Sequence, residues 1–359
     1  MLQKILSSAA GIAIAGAVSL AGLPAQADTF SFKLASGHPP GMQYVDLFAN
    51  YLAPELKKRV AARTEHKVNI LEAYSGAIIK NSEALEALQS GLVDIAGSCY
   101  CFEPSNLPLH NFPVYVPFGT SSPLQSLAIT RDVYAQTPEL SDVFEKKWNQ
   151  RLLALIVLDP YEIISKNPIE KIADLKGMRL GAAGPNLPWV AKAGAVPVQT
   201  QGAGSAYTNL QTGVVEGLVS YPSAIYNLKL TQLAKNYTKA GFGAVTWLYV
   251  HMNLDAYKKL PPEVQNIIDE LGRDFEFRQA LVTEDKYAER LRLIAADGVT
   301  VRDLSPETKK EWATLMADLP NEKAKELNDA GYPGSVVLNR MLDAAEAHGY
   351  QWPVRYKIN

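Results

Sequence analysis

Few side chains in this 359-residue sequence have the types and spacing that chemistry requires. The five histidines stand at positions 38, 66, 110, 251 and 348, with no HExxH and no pair at ligand spacing. No metal site and no cofactor are therefore expected. There is no GxSxG elbow and no Walker loop, and GFGAVTW (residues 241–247) leaves the dinucleotide fingerprint after its second glycine. Asp94 and Glu216 occupy matched places in a repeated phrase, but close to strand starts, where they read as structural carboxylates. No catalytic residue is assigned, and a binding protein is the better expectation. Cys99 and Cys101 stand two apart; on an extended segment they point the same way at a separation near the upper limit for a disulfide. They are read first as small buried hydrophobes and second as pocket-lining residues.

The repeated phrase gives the scaffold. ALQSGLVDIAGS (87–98) returns as NLQTGVVEGLVS (209–220), and the two copies then diverge into CYCFEPS and YPSAIY. Each copy reads as a helix ending at a C′ glycine, Gly91 or Gly213, followed by a buried strand over 92–97 or 214–219. In an open α/β sheet, ligands sit beyond the C-terminal ends of strands. Two such strands from two lobes would meet at one cleft, with specificity in the unlike endings. Around them the pattern predicts a first strand over 30–35, a helix over 44–64, and strands over 68–71, 153–158 and 244–251. A long amphipathic helix over 261–296 and a helical tail broken at Gly331–Gly334 complete the reading.

Composition sets the class. Hydrophobic residues make up 47% and charged residues 20%, with a net charge of −2, so nothing points to a nucleic-acid partner. Residues 1–27 read as a cleavable signal peptide: Lys4, an Ala/Gly-rich apolar run from Ile5 to about Leu23, and the small-x-small site Ala25-Gln26-Ala27. The exported chain would begin at Asp28, in the periplasm.

The segments FKLASGHPPG, LEALQSGLVDIAGS, ADLKGMRLG, AYTNLQTGVVEG and YKKLPPEVQNII resemble, in order and spacing, the solute-binding proteins of TRAP transporters of the C4-dicarboxylate-binding type. The resemblance covers essentially the whole chain after the signal peptide. It implies a two-lobe α/β periplasmic binding protein fold with a cleft between lobes and a long lobe-spanning helix. Lobe 1 would hold 28–155 with 244–280 returning to it, and lobe 2 would hold 156–243 with 285–340 packed on it, leaving 341–359 as a tail. It also implies capture of a small-molecule ligand by lobe closure. The solute would pass to a membrane permease of one small and one large subunit, or the protein would serve a sensor kinase.

One departure carries chemical information. Relatives usually bind a carboxylate with an arginine two residues after the basic residue of the KGxK/R strand, because a guanidinium grips a carboxylate bidentately and stays charged. Here that position is Gly181. Arg179 shares its strand parity and is the alternative anion anchor, though a strand-start arginine paired with a neighbour is the plainer reading. The expected ligand-binding set is His38, Cys99, Tyr100, Phe102, Tyr161, Gly181, Trp189, Ser220 and Tyr221. Aromatic rings in place of a guanidinium favour an aromatic or apolar carboxylic acid, its carboxylate held by backbone N–H groups, hydroxyls or His38. A small amine caged by the rings and Asp159 or Glu162 is the alternative. An ordinary C4-dicarboxylate lacks the charge compensation it needs.

Overall fold

The computed structural model describes residues 27–200 and 202–359, so the expected signal peptide, apart from Ala27, lies outside the described residues. Among the described residues, two mixed sheets divide eleven strands between them. The first contains β1 (Thr29–Ala35), β2 (Lys67–Ala73), β3 (Ile95–Cys99), β4 (Gln150–Val157) and β10 (Trp247–Asn253), in the order β2-β1-β3-β10-β4. The second contains β5 (Tyr161–Ser165), β6 (Arg179–Ala182), β7 (Val196–Gln199), β8 (Gly217–Ser220), β9 (Asn236–Gly243) and β11 (Thr300–Asp303), in the order β11-β9-β5-β8-β6-β7. Strands covered on both faces are apolar along their length, and every residue of IAGSC in β3 and WLYVHMN in β10 is buried.

The chain passes between the sheets through residues 158–160 after β4, through residues 244–246 after β9, and along the helix Pro262–Ala296. The first half of that helix is fastened to the first lobe. Val264, Ile267, Ile268, Leu271 and Phe275 enter one apolar core with Leu153 and Ile156. Gly272 lets the helix lie so close to β4 that a Cβ there would collide with the Leu153 carbonyl. Glu276 accepts from the Arg131 guanidinium and from the Leu155 N–H (2.6 Å), and Gln279 both donates to and accepts from the Val157 backbone. The far end, at Ile294, packs into the second lobe with Ile164, Leu218 and Tyr237.

The repeated phrase forms two matching junctions. Gly91 and Gly213 both take the left-handed conformation, at φ 73° and 77°. The Asp94 carboxylate accepts the Lys33 N–H at 2.7 Å, and the Glu216 carboxylate accepts the Arg179 N–H at 3.0 Å. The Asp94 and Glu216 N–H groups donate back to the Lys33 and Arg179 carbonyls. Each acid thus pins the incoming strand to its neighbour. Both strands begin three residues later than the apolar run suggests, because Leu92 and Val214 are turn residues left exposed.

The tail differs from expectation. Trp312, Ala313 and Met316 belong to a second-lobe core, whereas Ala324, Leu327, Val337, Leu338 and Met341 belong to the first-lobe core with Tyr100 and Leu155. After β11 the chain therefore returns to lobe 1, and Tyr356 near its end is buried there as well.

Candidate ligand-binding cleft

A cavity of about 240 Å³ lies where the lobes and the spanning helix meet. Its first-lobe wall is the turn after β1, from Pro40 to Tyr44. Its second-lobe wall is Tyr221, Ser223 and Asn227, from the end of β8 and the short helix Pro222–Asn227. Leu158 and Asp159 come from the first crossover, and Gln279, Thr283, Lys286 and Arg290 from the spanning helix. The two walls touch: the Tyr221 hydroxyl donates to the Met42 sulfur at 3.9 Å, and Asn227 Nδ2 donates to the Gly41 carbonyl at 3.3 Å.

The turn after β1 is held by polar contacts. Ser36 Oγ, 2.8 Å from the Tyr44 hydroxyl, donates to the Gly97 carbonyl and accepts the His38 N–H. His38 Nδ1 lies 2.6 Å from the same Tyr44 hydroxyl. Burial lowers the imidazole pKa to about 4, so the ring is neutral at neutral pH. Phe102 lies beside it, with ring centroids 5.9 Å apart.

Asp159 is the buried acid of the cavity. It accepts the Ser223 N–H at 2.9 Å, and burial raises its pKa despite that bond and the nearby Arg290 and Lys286 charges. Glu162, three residues on, accepts the Gly241 N–H at 2.8 Å, and burial raises it to about 8. Glu162 is not among the cavity-lining residues.

Of the residues expected from sequence, Tyr221 lines the cavity, His38 joins it through Tyr44, and Phe102 lies behind His38. Tyr161 stands one layer back, its ring 5.4 Å from that of Tyr221, and Ser220 ends β8 opposite Glu162. Cys99 and Cys101 form a disulfide, contrary to the reading as separate thiols. Two residues of strand would hold their Cα atoms about 6.7 Å apart, but β3 stops at Cys99 and the 3₁₀ turn Tyr100–Phe102 brings them to 5.1 Å. The same turn corrects Tyr100. A 3₁₀ turn rotates each side chain by a third of a circle rather than a half, and Tyr100 enters the first-lobe core, 4.9 Å from Tyr249 and 5.0 Å from His110.

Trp189 is likewise a core residue. It is fully buried behind Tyr161, packs on Phe242 at 4.8 Å and donates to the Val114 carbonyl. Arg179 is no anchor: its guanidinium donates to the Val214 and Gly213 carbonyls of the second junction, the part that Lys33 plays toward Leu92 in the first. Gly181 is not among the cavity-lining residues, and a Cβ there would meet Leu218 Cδ2 at 2.5 Å and Thr200 Cγ2 at 2.7 Å. The space beside the missing arginine is filled with hydrocarbon.

Sequence reasoning missed Met42, Gln43, Tyr44 and the helix residues of the site. A signal for the latter exists: Gln279, Thr283, Lys286 and Arg290 recur at i, i+4, i+7 and i+11, one polar stripe on the helix. Among the described residues, no group of His, Cys, Asp and Glu is placed to hold a metal, and no helix is long and apolar enough to cross a membrane.

Known proteins share this architecture. The chain is 24% identical over 348 residues to the ectoine/5-hydroxyectoine-binding periplasmic protein of Ruegeria pomeroyi, covering 95% of this chain and 97% of that one. A marine metagenome TRAP solute-binding protein specific for aromatic acid ligands, solved with 3-hydroxybenzoate, superposes with a TM-score of 0.79 at 21% identity, over 90% of this chain and all of the other. A Bordetella pertussis extracytoplasmic solute receptor binding pyroglutamic acid superposes with a TM-score of 0.73 at 23% identity, over 88% and 99% of the two chains. The profile of the family described as bacterial extracellular solute-binding protein, family 7, matches residues 49–326. The chain therefore belongs to that family, the periplasmic solute-binding proteins of TRAP transporters.

Proposed function

We propose that this protein captures a small, ring-bearing or otherwise apolar carboxylic acid in the periplasm, after cleavage behind Ala27, and delivers it to a permease of small and large membrane subunits. The observation that carries the reading is the make-up of the cavity: about 240 Å³, walled by Tyr44, Tyr221, Met42 and Leu158, with hydrocarbon beside the position of the strand arginine. That volume is below the roughly 300–1,000 Å³ of drug-sized pockets and suits a small solute. Tyr221 offers an aromatic face, and the neutral His38 ring lies close by. The relatives that bind 3-hydroxybenzoate and pyroglutamic acid support a cyclic monocarboxylate as the class.

A small amine is the weaker reading. Its counter-charge would be Asp159, whose burial favours the uncharged carboxyl and which already has two cations near it. A thermal-shift screen of benzoate, 3-hydroxybenzoate and pyroglutamate against succinate and small amines tests the proposal. The expected result is a rise in melting temperature with at least one cyclic monocarboxylate. Stabilisation by succinate alone, or by amines alone, would refute it.

A further inference from the structure

We infer that Lys286 and Arg290 of the spanning helix form the carboxylate-binding subsite of this protein, taking over the role of the strand arginine absent at Gly181. The inference rests on the proposed function, and it adds the residues that hold the charge.

Both side chains line the interlobe cavity, on the same helix face as the buried Gln279 and Thr283. Arg290 is held in place by an aromatic ring, its Cζ 5.0 Å from the centroid of Tyr226. Its Nε is buried with no hydrogen-bond partner. A buried donor of a permanently charged group left unmatched is costly, and such orphans call for a specific explanation. The other buried or half-buried arginines near the helix are matched: Arg59 to Asp274, Arg131 to Glu276 and Arg151 to Asp269. Among the described residues, Lys286 and Arg290 take part in no ion pair.

Helix spacing offers Arg290 no relief. Its neighbours three and four residues away are Lys286, Tyr287, Leu293 and Ile294, none of them acidic. Two cations at i, i+4 repel, which weakens a helix unless an anion lies between them. Two acids share the cavity wall. Asp46 is exposed and accepts from Asn50, and Asp159, near enough to feel both cations, forms an ion pair with neither and is engaged by the Ser223 N–H. A cavity with two free cations, one of them stacked on a ring, fits a single carboxylate on a compact body. The guanidinium supplies paired donors and the ammonium a mobile third.

The test is isothermal titration of benzoate, 3-hydroxybenzoate and pyroglutamate, each beside its primary amide, into wild type, Arg290→Gln, Lys286→Gln and Arg290→Lys. Melting temperature and circular dichroism of the ligand-free proteins report folding. Arg290→Gln is expected to weaken the bound acid about 10- to 100-fold, the scale of a lost charge-assisted hydrogen bond. Lys286→Gln should weaken it less, Arg290→Lys should recover part of the loss, and the amide should bind all four proteins alike. Unchanged acid affinity in both glutamine variants would overturn the anchor and leave the proposed function standing. If no acid binds wild type, both fall together.

Discussion

Gly181→Arg puts the family's habitual guanidinium back on β6, and the structure predicts that it fails as an anchor. The first atom added beyond Cα meets Leu218 Cδ2 at 2.5 Å and Thr200 Cγ2 at 2.7 Å, both closer than side chains tolerate. Leu218 is 2% exposed in a core it shares with Val215, Ile225 and Tyr237, so its retreat disturbs packed neighbours. Overpacking of this kind costs about 1–3 kcal/mol. That corresponds to a fall in melting temperature of about 2–10 °C in a chain of this class. Leu218→Ala removes the obstructing methyl groups. In a double-mutant cycle the two changes should couple favourably by about 1 kcal/mol or more, although Leu218→Ala alone is destabilising. Calorimetry of the four proteins reads the coupling, and titration with succinate asks whether a diacid site has been made. If Gly181→Arg melted like wild type and bound succinate, the room for an anchor would exist, and the argument from hydrocarbon filling would be wrong.

Three further outcomes follow from burial. Tyr161, 8% exposed in the second-lobe core, should cost about 3–5 kcal/mol when changed to alanine. Tyr221→Ala should leave ligand-free stability nearly intact and weaken the bound acid about tenfold; denaturant melts and titrations separate the two effects. The Glu162 carboxyl is raised from 4.5 to about 8 by burial, so the folded state favours its proton. Its stabilising neutral form is fully present below about pH 4.5 and is lost as pH rises through 8. Glu162→Gln should therefore remove a decline in stability between pH 4.5 and 8; urea melts that give parallel pH profiles for the variant and wild type would disprove the assignment.

The junction logic was legible because it depends on backbone. A glycine at positive φ and an acid three residues later specify the same turn wherever they occur, and Gly91–Asp94 and Gly213–Glu216 fold alike down to the N–H each carboxylate receives. The spanning helix was legible from its amphipathic period, whereas the crossovers between lobes came only with the resemblance to the family. Side-chain direction beyond the strands was not. Alternation assigns Tyr100 to one face only while the chain stays extended, and the 3₁₀ turn that begins there sends it into the core. Trp189 was unreadable for a different reason: an indole suits a core and a cleft equally, and only its neighbours Phe242 and Val114 decide. The polar stripe ending at Arg290 was visible as a pattern, but the pattern alone resembles a solvated helix face. It takes the second lobe, lying against that face through the helix Pro222–Asn227, to make it the wall of a cavity.

The unequal fastening of the spanning helix has a mechanical consequence. Its first half is bolted to β4 by Gly272, Glu276 and Gln279, while its far end is embedded in the other lobe at Ile294. The helix is thus a tie held in both lobes, with its polar contacts to β4 concentrated in its first half. The stretch from Thr283 to Ile294, which carries Lys286 and Arg290, is the part of the helix that passes from one lobe to the other. Charge and crossing coincide, so an anion seated on those two residues would sit where the helix leaves one lobe for the other and would bear on both.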